Sequence, residues 1–339
     1  MADADSARPV ALAEPSGGAA TGWLLAAGAG MAAIVFAVWL WTSRAEPPAP
    51  ADVGQTTGEV PLLTPDPKNT AAVEVQTYAG VLNNRSDDWR LARLAENPKI
   101  LLIEFPNLAA QGRALNRLAA LIEKSNAPRD HVLSDEGLAE FIRKGGDTPE
   151  TFYFGHDYPA EAVARFFTMA VSQQMRLNPD EIRLGNELLA AGLLKEESDK
   201  LVANPDREAV VSFTAIQADD PTTKADETVD ARRREAIVRH ELSHGEFFTN
   251  AAYRQHCWTF WQQLSDNHRS LLIKFLTAQG YDPRNEELMV NETQAYLMHT
   301  PDSRAFSAAQ LGMSPEQLAQ LQARFRTGLP PTIFPAIER

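Results

Sequence analysis

Residues 239–250 read RHELSHGEFFTN. On an α-helix, residues four apart stand one turn above each other, so His240 and His244 can aim imidazole nitrogens at one metal ion, zinc being the usual partner of such a pair. Glu241 is turned by about 100° from His240, where a carboxylate reaches a water on the metal without ligating the metal itself. H-E-x-x-H is therefore a spacing suited to metal-assisted hydrolysis. The plain alternative is an exposed polar helix face. A third ligand decides between them, because two histidines fill only two corners of a tetrahedron and a hydrolytic site keeps the fourth open.

The stretch MVNETQAYLMHT at 289–300 offers that group. Asp282-Pro283 and Thr300-Pro301 bound a helix over 283–299, and a turn at Gly280 lets it return beside the helix carrying the histidines. Glu292 is mid-helix and rigidly held, whereas His299 lies at the helix end. His299 and His256 remain the alternative third ligands. Tyr296, one turn beyond Glu292, either donates to an oxyanion or packs half-buried. A metzincin extension of the motif would need Gly at 247 and His or Asp at 250, where this chain has Phe247 and Asn250. The H-E-x-x-H helix followed by a second helix with Asn291-Glu292 resembles the gluzincin, thermolysin-like class of zinc metallopeptidases, over residues 236–299. The resemblance implies that His240, His244 and Glu292 bind zinc and that Glu241 is the general base. It also implies an antiparallel edge strand before the zinc helix that aligns an extended substrate, a place taken here by AVVSFTA at 209–215. Many gluzincins orient the first histidine with an acidic residue four positions after the ligand glutamate. This chain has Tyr296 there, which leaves Tyr296 and His299 as candidates for supporting a ligand or the transition state.

Patterning upstream of the motif is mixed. KILLIEF (99–105), TFYFG (151–155) and AVVSFTA (209–215) predict strands. Helices are expected after Asn107, and over 159–176 and 179–195 behind Pro159 and Pro179. From about residue 225 the strand signals stop, and helices are expected over 228–249, 252–279, 283–299 and 315–327. Ser314-Pro315 with Gln317 opens the last and Gly328 closes it. The expected fold is α+β: a zincin-like body with a mixed α/β part over 73–217, including the substrate-side edge strand, and a helical zinc-binding part over 218–339. His156-Asp157 reads as a helix cap. Arg232 to Arg234 reads as a solvated charge run, with a substrate carboxylate as its alternative role. Trp258, Phe260, Trp261, Leu264 and Cys257 read as core.

Residues 1–72 differ in kind. No charged residue occurs between Pro15 and Ser43, and Trp23 to Trp41 is apolar almost throughout. At about 1.5 Å per residue such a run spans a hydrocarbon core of about 30 Å, and Trp23, Trp39 and Trp41 suit its interfaces. A transmembrane anchor is expected over 21–43, after a tail over 1–20. The proline-rich stretch 44–72 is expected to be a disordered tether. Arg8 and Arg44 tie the positive-inside count. The short tail and long tether suit a single-pass protein of the inner (cytoplasmic) membrane with its body on the periplasmic side.

The 339 residues carry a formal charge of -13, which repels phosphate backbones and argues against nucleic acid as a partner. A single cysteine, Cys257, allows no internal disulfide. The expected function is a membrane-anchored zinc metallopeptidase acting on a peptide or protein. Two rivals share its residues: a zincin-like binding or scaffolding domain without turnover, and a zinc hydrolase of non-peptide amides.

Overall fold

A computed structural model of the chain describes residues 73–83, 86–198 and 200–335. The tail, anchor and tether expected over 1–72 lie outside them, and among the described residues no helix is long and apolar enough to cross a membrane. The chain divides into two units, Met1–Thr56 and Thr57–Arg339, and every described residue belongs to the second.

In chain order the elements are β1 (Val73–Gln76), α1 (Tyr78–Asn83), β2 (Arg90–Leu94), β3 (Asn97–Phe105), α2 (Leu108–Ile122), α3 (Asp135–Gly145), β4 (His156–Pro159), α4 (Ala160–Ser172) and α5 (Pro179–Ala190). Then follow β5 (Leu194–Glu197), β6 (Lys200–Ala203), β7 (Ala209–Thr214), α6 (Ala231–Thr249), α7 (Ala251–Gln262), α8 (Asp266–Ala278), α9 (Glu286–His299), α10 (Ala308–Leu311) and α11 (Pro315–Arg326). The fold is mixed α/β, about half helical, with one small five-stranded sheet and a β5–β6 hairpin.

Strand order in the sheet is β1-β2-β3-β7-β4. β1/β2 and β3/β7 pair in parallel, β2/β3 and β7/β4 antiparallel. The unbroken apolar run of β3 follows from helices covering both faces of the sheet. Leu101, Ile103 and Phe105 meet α2, α4 and α5, while Ile100 and Leu102 point the other way, to Val238 and Leu242 of α6. Each such side chain removed from water contributes about 1.5–3 kcal/mol. A third apolar cluster joins α7, α8, α9 and α11, and it contains Cys257, Phe260, Trp261 and Leu264.

α6 is clamped to the sheet by two unlike devices. At Gly245 an added Cβ would come within 2.8 Å of Ile100 Cδ1, so glycine lets the helix close on β3. At the other end Arg234, buried, donates to Thr214 O at 3.1 Å, Leu82 O at 2.9 Å and Glu104 Oε1 at 2.7 Å. The expected solvated charge run is thus corrected: Arg234 is structural, Arg233 is held by Asp226, and only Arg232 is exposed. Removing Glu104 would leave a buried guanidinium without its partner, a loss of about 3–5 kcal/mol.

Further expectations are corrected by long-range pairing. AVVSFTA at 209–215 is not an edge: β7 lies between β3 and β4 and is buried along its whole length. The edge on that side is β4, whose strand begins at His156, after the expected 151–155 segment. His156-Asp157 is accordingly part of a strand and caps no helix. The helix expected over 252–279 breaks at Ser265, whose hydroxyl caps α8 by accepting from His268 N. α9 starts at Glu286 under an Asn285 cap, three residues after Pro283. β1, β2, α3 and the β5–β6 hairpin had no counterpart in the sequence reading. In α3 the reason is plain, since only Ile142 of its charged sequence is buried.

Candidate metal centre

α6 begins at Asp230, whose side chain accepts from Arg233 N, and runs to Asn250, which also caps α7. Its third and fourth turns carry His240, Glu241 and His244 between the sheet and α9. From α9 comes Glu292, 1 % exposed. His240 Nε2 stands 3.6 Å from Glu292 Oε2, and His244 Nε2 stands 3.7 Å from Glu292 Oε1. These gaps exceed hydrogen-bond length, yet they approach the roughly 3.4 Å that separates two ligands of one tetrahedral ion with bonds of about 2.0–2.1 Å. The three ligand atoms all lie within 4.8 Å of one another. Both ring nitrogens of His244, Glu292 Oε2 and Glu241 Oε2 are buried without a well-formed hydrogen bond. Buried polar atoms are seldom left so, and one cation would satisfy several of them at once. The residues fit a metal ion.

The surroundings hold these groups in place. His240 Nδ1 lies 2.7 Å from Thr300 Oγ1, which itself donates to Ala295 O at 3.0 Å. With its proton so committed, the hydroxyl accepts from Nδ1–H, and the lone pair of Nε2 faces Glu292. Tyr281, a residue the sequence reading passed over, lies near Glu292. Tyr296 packs edge-on against His240 with centroids 4.7 Å apart and against Tyr281 with centroids 6.5 Å apart. Behind α6, Ser243 Oγ donates to His240 O at 2.6 Å and accepts from Gln294 Nε2 at 3.1 Å. The two alternative third ligands are engaged elsewhere. His299 Nε2 bonds the Tyr253 hydroxyl at 3.1 Å and stacks on Phe334, and His256 Nε2 bonds Phe325 O at 2.6 Å.

Two acids that the sequence reading did not place here join the centre. Asp157 on β4 puts Oδ2 3.6 Å from His244 Nε2 and hydrogen-bonds Glu241. Asp157, Glu241 and His244 form a second triad of possible ligands. Glu123, just past α2, lies near Tyr153 and Tyr158. Strand alternation was the available signal for Asp157, since in HDYP it points opposite to His156 and Tyr158. Nothing local marks Glu123, Tyr281 or Thr300.

Burial, with Glu292 nearby, pushes Glu123 up to about 8. Burial, then the charges of the neighbouring acids, holds Asp157 and Glu241 well above the usual carboxylate range, and burial raises Glu292 against the pull of His244. Burial likewise lowers His240 to about 3 and His244 to about 4. Neutral imidazoles and protonated acids are what a desolvated site adopts without a cation, and a divalent ion reverses that preference for the carboxyls.

The centre opens on a cleft of about 890 Å³ whose wall includes Tyr153, Phe154, Gly155, Asp157, His240, Glu241 and Tyr296. At Gly155 an added Cβ would stand 2.3 Å from Glu241 Oε1 and 2.6 Å from its Cγ. Only glycine lets the chain entering β4 pass so close to that carboxylate. Comparison of the chain with models of protein families, with curated proteins and with solved structures gives no match.

Proposed function

We propose that the protein is a zinc metallopeptidase tethered to a membrane by its apolar segment 21–43, with His240, His244 and Glu292 as zinc ligands and Glu241 as general base. The observation that carries this reading is the convergence of three ligand atoms from α6 and α9 within 4.8 Å of one another, in a cleft shared with Glu241. Zinc held there supplies Lewis acidity to a scissile carbonyl and to the attacking water. Glu241 takes the water's proton and delivers it to the leaving amine. β4, paired with β7 along one side, offers its other side for an extended peptide to add as a strand. Thr300 keeps Nε2 of His240 free to ligate. The test is metal analysis with a peptide-cleavage assay. The expected result is one zinc per chain, with cleavage abolished by Glu241→Gln while zinc stays bound; absence of zinc, or equal cleavage by the variant, overturns the reading.

One observation favours a second reading, a zinc-holding binding domain without turnover: burial, with the charges of Glu292 and Glu123 nearby, holds Glu241 well above the usual carboxylate range against the pull of Asp157, and a carboxyl that keeps its proton is not a base. Stoichiometric zinc with no cleavage across a peptide library would select it. Hydrolysis of small amides alone, in the same assay, would select a non-peptide substrate.

A further inference from the structure

Lys124 lines the same cleft as His240 and Glu241. Its Nζ stands 4.5 Å from the ring centroid of Phe152 and 4.4 Å from that of Tyr153. The stem lies against Gly280, where an added Cβ would be 3.5 Å from Cδ and 3.4 Å from Nζ. Its backbone is pinned by a β-bridge to Tyr281 and by Arg129, which donates to Lys124 O at 2.7 Å. Two aromatic faces and a tied backbone give this ammonium a defined position.

The other cations of the cleft wall are committed. Lys144 pairs with Glu140 at 2.7 Å, Arg233 with Asp226 at 2.7 Å, and Arg304 with Asp230 at 2.8 Å and Asp302 at 2.6 Å. Lys124 is different: among the described residues no carboxylate oxygen lies within 4.0 Å of Nζ. Asp147 and Glu123 act on it only from farther off. An ammonium carries three donors. Ring faces attract its charge but accept none of those hydrogens as a carboxylate does, and because Lys124 is only part-buried, an acceptor can reach Nζ from the cleft.

We infer that Lys124 is the recognition point for a carboxylate of the substrate, on a subsite of the cleft that also holds the metal centre; the inference rests on the peptidase reading. A carboxylate supplies the missing acceptor as a charge-assisted pair. A neutral or cationic group at the same place leaves Nζ unpaired and is rejected. The carboxylate is a peptide C-terminus or an Asp or Glu side chain, and both present the same chemistry.

Binding separates these cases without relying on turnover. Fluorescent hexapeptides, each with one Glu or Gln at a scanned position and with a free or amidated C-terminus, are titrated by anisotropy into the full chain carrying Glu241→Gln. At one position the acid should bind about tenfold or more tighter than its amide. A difference that follows the side chain identifies an acidic residue, and one that follows amidation identifies the C-terminus. Lys124→Gln should abolish the difference with neutral peptides unaffected, and Lys124→Arg should retain it, which separates lost charge from lost folding. Equal binding of acid and amide, discrimination that survives Lys124→Gln, or no peptide binding at all overturns the inference. Wild-type protein that cleaves nothing yet shows Lys124-dependent discrimination overturns the peptidase reading and keeps the carboxylate subsite; cleavage without that discrimination does the reverse.

Discussion

His240 Nδ1 and Thr300 Oγ1 are 2.7 Å apart, and the threonine proton is already given to Ala295 O. The pair therefore imposes the Nδ1–H tautomer, doing from the loop after α9 what an acidic residue at position 296 would do in the resemblance drawn above. Thr300→Val should weaken metal binding about 10–100-fold, and Thr300→Ser should restore it. Chelator competition measures the affinity, and imidazole nitrogen shifts report the tautomer. Unchanged affinity and tautomer in the valine variant would reduce Thr300 to a helix stop.

Glu292→Ala should remove most of the zinc affinity while the fold survives, because an uncharged methyl replaces a buried acid. His299→Ala should do the opposite. It loses the stack on Phe334 at 4.0 Å and the bond to Tyr253, which should lower stability by about 1–3 kcal/mol with metal content intact. Metal analysis beside urea unfolding reads both variants, and metal loss in His299→Ala alone would point to a three-histidine site.

Gly155→Ala tests the close approach to Glu241. A Cβ 2.3 Å from Oε1 must displace the carboxylate, and a displacement of about 1 Å can cost a rate factor on the order of 100. Zinc content should be unchanged, since neither histidine nor Glu292 is touched. Full activity in the alanine variant would show that Glu241 has room to move without consequence.

The metal-free protein should lose stability as pH rises from about 6.5 to 8.5. Burial in the folded protein pushes Glu123 up to about 8, from 4.5 for the carboxyl in water. Its pKa is raised, so the stabilising contribution is complete below the unfolded value and is lost as pH climbs through the folded one. The slope is at most about 1.4 kcal/mol per pH unit for this group. Below about 6.5 the lowered pKa values of His240 and His244 act with the opposite sign. Glu123→Gln should flatten the upper slope in urea unfolding at successive pH values, and an unchanged slope would remove Glu123 as its source.

Local chemistry was legible in the sequence at several helix ends where one turn of chain contains the whole interaction. Asn107 caps α2 by accepting from Ala110 N, and Ser314 with Gln317 forms a capping box on α11. Pro179 opens α5 under Asn178. The spacing of His240 and His244 dictates a shared helix face in the same way. The helix break at Ser265 was missed because the apolar pattern continues across it, and α9 hides its burial because Asn291, Glu292, Thr293 and Gln294 look like a solvated surface.

What the sequence by itself determined is the starts of α2, α5 and α11 and the pair of histidines one turn apart, since helical periodicity and capping bonds reach only three or four residues. Tertiary structure alone decided that β7 is interior and β4 is the edge. It also decided that Glu292 meets the histidines while His256 and His299 bond elsewhere, and that Asp157, Glu123, Tyr281 and Thr300 gather around them. Those placements depend on strand order and helix packing between residues tens of positions apart, and no local period encodes which distant segment fills a given side of a helix.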